Sequence, residues 1–305
     1  MKNINIGNSG LMASEIVFGC MRINSLPANE LNNLISTALD EGINFFDHAD
    51  IYGSGECEEV FAQAVEAIRC KRDEIIIQTK CGIRKGFFDF SKEHILNSVE
   101  ESLKRLKTDY VDVLLLHRPD TLMEPEEVAE AFSILHKSGK VKYFGVSNQN
   151  PMQIELLQKY INNKLIINQL QLSITNTGMI DSGINVNMKI DHSIDRDGSI
   201  LEYCRLKDIT IQAWSPFQYG FFEGVFLNND KFPELNQKID EIAALKGVTN
   251  AAIAVAWILR HPAIMQPVTG TTKVSRLKEI CRATEIELTR QEWYEIYRAA
   301  GNKLP

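Results

Sequence analysis

Val111-Asp112-Val113-Leu114-Leu115-Leu116 is a run in which apolar side chains follow one another with almost no alternation. A strand with one face in water alternates apolar and polar residues, whereas a parallel strand covered on both faces is apolar at consecutive positions. We therefore predict a buried parallel strand at this segment, which requires layers of helix on its outer side and other side chains on its inner side.

Similar runs recur along the chain and bring the number of predicted strands to eight. The other seven are Ile16–Gly19, Asn44–Asp47, Ile75–Thr79, Tyr143–Val146, Ile166–Leu170, Thr210–Trp214 and Gln266–Thr269. Between them, apolar residues recur at the 3.6-residue spacing of amphipathic helices. The predicted helices follow Pro27 and Ser91, begin at Pro125, and lie at roughly 56–70, 151–161, 197–207, 234–246, 249–260, 274–283 and 289–299.

This regular alternation predicts the α/β class and one (β/α)8 TIM barrel domain over residues 1–305. An open doubly wound sheet is the alternative, but the first strand-to-helix turn lacks the Gly-x-Gly-x-x-Gly pattern of a dinucleotide-binding sheet. The segment Ile4–Gly10 predicts a hairpin that closes the bottom of the barrel. Long loops are expected at the C-terminal face, including an irregular insertion at 173–197.

The composition narrows the functional classes. The chain has 305 residues and a formal net charge of −7, without a cluster of basic residues, so we expect no nucleic-acid partner. Its longest apolar run, Ala251–Leu259, is about half the length of a membrane span, and the N-terminus lacks a signal sequence, which predicts a cytoplasmic protein. Six scattered cysteines form no Cys-x-x-Cys pair, so neither a metal site nor a dithiol is expected.

Reactive side chains stand at or just after the ends of three successive strands. In a barrel enzyme the C-terminal strand ends surround the active site. Asp47 ends the second strand with Tyr52 five residues later, Lys80 ends the third, and His117 follows the fourth. We expect these four side chains to share one mouth.

The four side-chain types suit proton donation to a carbonyl oxygen. A nearby ammonium lowers the pKa of a phenol, so Lys80 is expected to make Tyr52 a better general acid, with Asp47 holding Lys80 and His117 orienting the substrate. The residues alone leave another barrel enzyme open, for instance a lyase or isomerase that uses Lys80 as a Schiff-base amine.

From residue 11 to residue 290 the sequence resembles the aldo-keto reductase family. The segment from Gly42 to Gly53 is similar to that family's Gly-x-x-x-x-Asp-x-Ala-x-x-Tyr-Gly motif, and Thr79-Lys80-Cys81-Gly82 is similar to its lysine strand. The segments 109–117 and Gly145-Val146-Ser147-Asn148 resemble its histidine and Gly-x-Ser-Asn strands. The resemblance implies a complete catalytic tetrad of Asp47, Tyr52, Lys80 and His117.

The resemblance also implies a nicotinamide cofactor across the barrel mouth. Ser147, Asn148 and Gln169 match the residues that hold the carboxamide, and Trp214 matches the aromatic residue that stacks on the nicotinamide ring. The implied contacts along the rest of the cofactor are Ser215, Pro216 and Phe217 near the pyrophosphate, and Thr271, Thr272, Arg276 and Glu279 at the adenosine end. Because Arg276 matches the arginine that grips a 2′-phosphate, NADP(H) is favoured over NAD(H).

The function implied is NADPH-dependent reduction of aldehyde or ketone carbonyls in a small-molecule substrate, with Tyr52 as the general acid. The alternative implied by the family is a cofactor-sensing regulatory subunit with little turnover. The sequence specifies neither the substrate nor the oligomeric state.

Overall fold

The computed structural model describes all 305 residues. Eight parallel strands form a closed barrel in which each strand pairs with the next along the chain, and the eighth pairs with the first. Their bounds are β1 Val17–Gly19, β2 Phe45–Asp47, β3 Ile76–Cys81, β4 Val111–Leu116, β5 Val141–Ser147, β6 Leu165–Gln171, β7 Thr210–Trp214 and β8 Met265–Thr269. The predicted TIM barrel is therefore confirmed.

Helices connect the strands and cover the outside of the barrel. Their bounds are α1 Ala28–Asp40, α2 Glu56–Ala67, α3 Lys92–Leu106, α4 Pro125–Lys137, α5 Pro151–Tyr160, α6 Gly178–Ile184, α7 Ile200–Leu206, α8 Pro233–Lys246, α9 Asn250–Leu259, α10 Val274–Cys281 and α11 Arg290–Ala299. Apolar residues from these helices and from the outward faces of the strands share one large core.

The strand bounds follow from burial on both faces. All six residues of β4 are buried, and the strand coincides with the run Val111–Leu116. The third strand is longer than its apolar run, because Lys80 and Cys81 continue the pairing with Leu115 and Leu116. A polar residue at a strand end can therefore belong to the barrel when its side chain is buried inside it.

The helix ends show the expected capping residues. The Ser91 hydroxyl accepts a hydrogen bond from the backbone N–H of His94 at the start of α3. Pro125 is the first residue of α4, where its missing N–H removes no helix hydrogen bond. Gly42, just beyond α1, has φ +85°, a conformation that favours glycine.

An antiparallel hairpin closes the bottom of the barrel, as predicted. Its strands are Asn3–Ile6 and Leu11–Ser14. The Gly7 N–H donates to the hydroxyl of Thr210 at the first residue of β7, with a distance of 2.8 Å. Ile6 and Ala13 pack with apolar residues of six strands in a separate core cluster. The opposite end of the barrel is left as the open mouth.

The insertion at 173–197 is more regular than expected. It contains α6 and a short 3-10 helix at Asp191–Ser193, so the expectation of an irregular loop is wrong. Met179 and Ile180 are buried in the main core, and the Tyr297 hydroxyl donates to Asp181 at 2.6 Å. These contacts with the core and with α11 stabilise a helix of only seven residues, two of them glycine, whose sequence gives a weak local signal.

No single helix is long and apolar enough to cross a membrane. The helices α8 and α9 pass that test only when taken together, and they are bent by 93° at the break between them. Residues 251–258 of α9 are all buried against the barrel.

Two glycines of the N-terminal hairpin provide a matched test of its packing. Both have positive φ, but a Cβ at Gly7 would lie 2.5 Å from the Cβ of Ile166, whereas nothing lies within 4 Å of one at Gly10. We expect Gly10→Ala to reduce the free energy of unfolding by about 1 kcal/mol through backbone strain alone. Gly7→Ala should cost about 1–3 kcal/mol more, because the hairpin must move away from β6. Urea denaturation measures both, and equal losses would contradict this packing.

Candidate active site

The side chains predicted at the strand ends meet at the barrel mouth. Asp47 is the last residue of β2 and Lys80 lies at the end of β3, which pairs with β2. His117 follows β4, the next strand around the barrel. Tyr52 lies in a 3-10 turn, Tyr52–Gly55, that links β2 to α2. The fold therefore brings together all four residues that the sequence separates by up to 70 positions.

Lys80 is the centre of this group. Its side chain is fully buried, and its ammonium donates to Asp47 Oδ2 at 2.8 Å, to the backbone carbonyl of His48 at 2.8 Å and to the Tyr52 hydroxyl at 3.0 Å. An ammonium has three donors, and all three are used. The position of the Tyr52 oxygen is thus set by a cation that cannot move without losing its other two partners.

The charge of Lys80 is preserved despite its burial. Burial alone lowers the pKa of an ammonium, but attraction to Asp47 and to the Tyr52 oxygen outweighs it, so the pKa of Lys80 is raised above its ordinary value. Lys80 therefore stays protonated at neutral pH. A protonated amine has no lone pair, so this environment disfavours Schiff-base chemistry at Lys80.

The pKa of Tyr52 differs from the sequence-based expectation. Burial raises the pKa of its phenol, and Lys80 lowers it, but the Asp47 carboxylate adds to the effect of burial, so the net pKa is raised. The expected lowering was based on Lys80 alone and omitted the cost of burying a phenolate. In this structure Tyr52 is a neutral hydroxyl that donates or accepts a hydrogen bond at its exposed side.

His117 lies beside Tyr52 with its ring edge-on, and their ring centroids are 6.0 Å apart. Burial lowers the pKa of His117 well below its ordinary value, and the cations Lys80 and Arg118 lower it further. The imidazole is therefore neutral at pH 7. Its buried Nδ1 has no partner in the chain, so one ring nitrogen is free of structural hydrogen bonds.

Four buried glutamines are joined by hydrogen bonds into a chain that ends at Asp47, which we call the glutamine layer: Gln78, Gln169, Gln212 and Gln266. Gln78 Nε2 donates to Asp47 Oδ1 at 2.5 Å, and Gln169 Nε2 donates to the same oxygen at 3.2 Å. Both also donate to Gln212 Oε1, at 2.8 and 2.9 Å. These bonds hold the carboxylate that holds Lys80.

Sequence reasoning missed three members of this layer. Gln78 precedes Lys80 by two residues and Gln212 precedes Trp214 by two, so each shares the inward face of its strand with a predicted site residue. The spacing of two residues from a predicted site residue was the sequence signal that could have identified Gln78 and Gln212. Gln169 was predicted to contact a carboxamide, but its amide nitrogen is bound to Asp47 and Gln212, and its cofactor contact stays a prediction.

The other residues predicted to hold the carboxamide form a connected set. Asn148 Nδ2 donates to the Ser147 hydroxyl at 2.7 Å, and the Trp214 indole N–H donates to Asn148 Oδ1 at 3.1 Å. Phe222 stacks on the Trp214 ring with a centroid distance of 5.9 Å. Phe222 is half exposed.

The loop after β7 continues from Trp214 along the mouth. Ser215 has φ +54°, Pro216 is buried, and the backbone of Phe217 accepts a hydrogen bond from Phe226. A small hairpin, Gln218–Tyr219 with Gly224–Val225, follows and carries Phe221 and Phe222 at its tip. The predicted pyrophosphate contacts therefore lie on a structured arm that borders the mouth.

The predicted adenosine contacts cluster after β8. Thr271 is buried and its hydroxyl accepts from the Lys273 N–H at 3.2 Å, while Thr272 and Glu279 are partly exposed. Arg276 is exposed in the first turn of α10, and no side chain caps the N-terminus of this helix. Arg22, which the sequence reading missed, donates to the Gly270 carbonyl at 2.7 Å. The cations Arg22 and Arg276, together with the uncapped backbone N–H groups at the start of α10, provide charge and donors that suit a phosphate.

Cys81 lies next to Lys80 but faces away from the mouth. It is buried in the core between strands and helices, and burial raises the pKa of its thiol well above the ordinary value. The thiol is therefore un-ionised at neutral pH. The structure contains no group of three or more His, Cys, Asp or Glu side chains arranged to hold a metal ion.

The sequence matches the aldo/keto reductase family over residues 15–300. This chain belongs to the aldo-keto reductase family. The match runs from just before β1 to the end of α11. Asp47, Tyr52, Lys80 and His117 all lie within the matched residues. The family assignment identifies an oxidoreductase that reduces carbonyl groups.

Individual relatives match this chain over nearly its whole length. An uncharacterized oxidoreductase, YcsN, of Bacillus subtilis is 37% identical and covers 97% of both chains. A protein named 6-dehydroglucose reductase, of Agrobacterium fabrum, is 35% identical over 96% of both. The crystal structure of a thermostable aldo-keto reductase, Tm1743, in complex with the inhibitor epalrestat has a TM-score of 0.79 at 27% identity and covers 98% of this chain and 100% of its own.

The buried ion pair predicts strong thermodynamic coupling. We expect Lys80→Met to reduce the free energy of unfolding by about 3–5 kcal/mol, because it leaves a buried carboxylate without its cation. The double variant Asp47→Asn/Lys80→Met should lose less than the sum of the single variants. Lys142→Met is the control: its ion pair with Asp112 has the same kind of partner at 3.0 Å, but the lysine is half exposed, so the loss should be at most about 1 kcal/mol. Additive losses for the Asp47 and Lys80 variants in urea denaturation would rule out the coupling.

Proposed function

We propose that this aldo-keto reductase uses NADPH to reduce aldehyde or ketone carbonyls, with Tyr52 as the proton donor. One observation carries the proposal: the Tyr52 hydroxyl lies 3.0 Å from a buried, charged Lys80 that Asp47 holds in place at the barrel mouth. The arrangement provides a hydroxyl at a fixed position with a permanent positive charge beside it.

The reaction demands a proton at the carbonyl oxygen as a hydride reaches the carbonyl carbon. The nicotinamide, when bound, supplies that hydride. Tyr52 is protonated throughout the neutral range, because its pKa is raised above the ordinary value of 10.0. As Tyr52 gives up its proton, the ammonium of Lys80 stabilises the developing phenolate, which is a transition-state interaction.

His117 and the glutamine layer position the reacting groups. A neutral imidazole beside Tyr52 donates a hydrogen bond to the substrate oxygen without competing as an acid. The layer keeps Asp47 in hydrogen bonds from two amides, so this carboxylate remains available to Lys80. We therefore assign His117 to substrate orientation, and Asp47 to the positioning of Lys80.

The residues at the mouth fit a dinucleotide phosphate. Arg276 and Lys273 are exposed at the start of α10, and Arg276 forms no ion pair within the chain. A guanidinium and uncapped helix N–H groups match the charge and donors that a 2′-phosphate needs. This fit supports NADP(H) over NAD(H). In the cofactor site we include Ser147, Asn148, Gln169, Trp214, Ser215, Pro216, Phe217, Thr271, Thr272, Arg276 and Glu279.

The substrate is proposed to be a small carbonyl compound. A relative at 35% identity is named 6-dehydroglucose reductase, which supports an aldehyde as one substrate type. No contact in the structure favours the alternative of a cofactor-sensing subunit with little turnover.

The cofactor preference is tested at Arg276. Replacing Arg276 with Ala removes a charge-assisted contact to the 2′-phosphate, so the KM for NADPH should rise about tenfold or more. The KM for NADH should change much less, since NADH lacks that phosphate. Arg282→Ala is the control, because Arg282 is an exposed arginine paired with Glu285 just beyond α10. Steady-state kinetics with both cofactors gives the answer, and an unchanged NADPH KM in the Arg276 variant would refute the assignment.

The proton donor is tested by Tyr52→Phe, which removes one oxygen and retains the ring. We expect kcat for aldehyde reduction to fall by about 10²–10⁴, the usual contribution of a positioned acid, while NADPH still binds in a fluorescence titration. The control is Tyr203→Phe, whose hydroxyl bonds to Glu155 on the outer surface of the barrel. A kcat close to that of the wild type in the Tyr52 variant would contradict the assignment of Tyr52 as the proton donor.

A further inference from the structure

Arg118 is a cation at the barrel mouth that has no counterion. It follows His117 directly and is partly buried. Its guanidinium carbon lies 5.6 Å from the ring centroid of Trp214 and 5.9 Å from that of Phe221. Both distances are within the range of a cation–π contact. Arg118 forms no salt bridge and no hydrogen bond within the chain, which is unusual for a partly buried arginine.

The surroundings of Arg118 place it beside the reacting groups. Its charge acts on Tyr52 and lowers the pKa of His117, so the guanidinium lies within electrostatic reach of both side chains. No carboxylate is among the groups that shift the pKa of Arg118. The fully buried Lys80 is paired with Asp47, and the partly buried Arg105 is paired with Glu58 at 2.7 Å. Arg118 differs from them in that its five donors remain free at an open mouth.

The walls around Arg118 are aromatic. Trp214, Phe221 and Phe222 form a contiguous group, and the two phenylalanines are 65% and 49% exposed. A molecule that binds here meets flat apolar surfaces and a single forked cation. An apolar carbonyl compound would cover the guanidinium and leave its donors unsatisfied, whereas a carboxylate would pair with it through two hydrogen bonds.

We propose that Arg118 forms a carboxylate-binding subsite and that the preferred substrates are oxo-acids, in which an aldehyde or ketone at Tyr52 is joined by a short apolar or aromatic spacer to a carboxylate. This inference rests on the proposed reductase function and adds the class of substrate. Arg118 is a specificity residue, because it contacts the substrate remote from the reacting carbonyl.

Three para-substituted aldehydes of similar shape test the subsite: 4-formylbenzoate, 4-(hydroxymethyl)benzaldehyde and 4-methylbenzaldehyde, with 3-formylbenzoate as a second geometry. For the wild type we expect kcat/KM to be highest for a formylbenzoate. In Arg118→Met the ratio of kcat/KM for that formylbenzoate to kcat/KM for 4-methylbenzaldehyde should fall about tenfold to a hundredfold, the value of a charge-assisted hydrogen bond. Arg118→Lys keeps the charge but loses the two-pronged guanidinium, so its kcat/KM ratio should lie between those of the wild type and Arg118→Met.

Controls separate the subsite from other roles of Arg118. Arg298→Met removes an exposed arginine on α11, far from the mouth, and should leave the ratio as in the wild type. A wild type that prefers the hydroxymethyl or methyl aldehyde overturns the proposal, and so does an equal loss for all substrates in Arg118→Met, which would indicate a role in cofactor binding or folding.

The subsite and the reductase function can fail separately. If the wild type reduces 4-methylbenzaldehyde but does not favour either formylbenzoate, the function stands and the subsite is wrong. If no aldehyde is reduced, the function is wrong, and the subsite is judged by quenching of tryptophan fluorescence on titration with 4-methylbenzoate. Binding that is weakened about tenfold or more in Arg118→Met supports the subsite, and equal binding overturns it.

Discussion

A positive charge buried at the end of a strand is the constraint on which the active site depends. Lys80 is fully removed from water, and a buried ammonium is tolerated only when a carboxylate and hydrogen-bond acceptors surround it. Asp47 must therefore end β2 directly beside it, the carbonyl of His48 must turn inward, and Tyr52 must fold back over the mouth. The geometry that suits proton donation is thus the geometry that keeps Lys80 charged.

The barrel supplies this constraint through its parallel register. Because β2, β3 and β4 are neighbours, residues at their C-terminal ends are brought within contact distance although they are far apart in sequence. The hairpin at the bottom and the helices outside bury the apolar residues of the strands. Only the mouth remains for polar chemistry, and the loops that border it differ in length and composition without disturbing the strands beneath.

The architecture and the position of the four central residues could be read from the sequence, because both depend on local patterns. Continuous apolar runs mark strands buried on both faces, and a strand end places its last polar residue at the mouth. The pKa of Tyr52 could not be read in this way, since it depends on the balance of burial, Lys80 and Asp47 in three dimensions. The helix α6 was missed because its stabilising contacts, such as that of Asp181 with Tyr297, join residues more than 100 positions apart.

The glutamine layer has a consequence for the direction of every amide in it. The Ser14 carbonyl can only accept, so Gln266 must turn its nitrogen toward it, at 2.6 Å, and its oxygen toward Gln212. Gln212 must then offer its oxygen to Gln78 and Gln169, which have only N–H groups left for Asp47. The backbone of the bottom hairpin thereby sets the direction of a chain of amides that ends at the Asp47 carboxylate. If any one amide were reversed, its oxygen would face another hydrogen-bond acceptor. The Ser14 carbonyl in the bottom hairpin therefore determines that only N–H groups of the glutamine layer face Asp47.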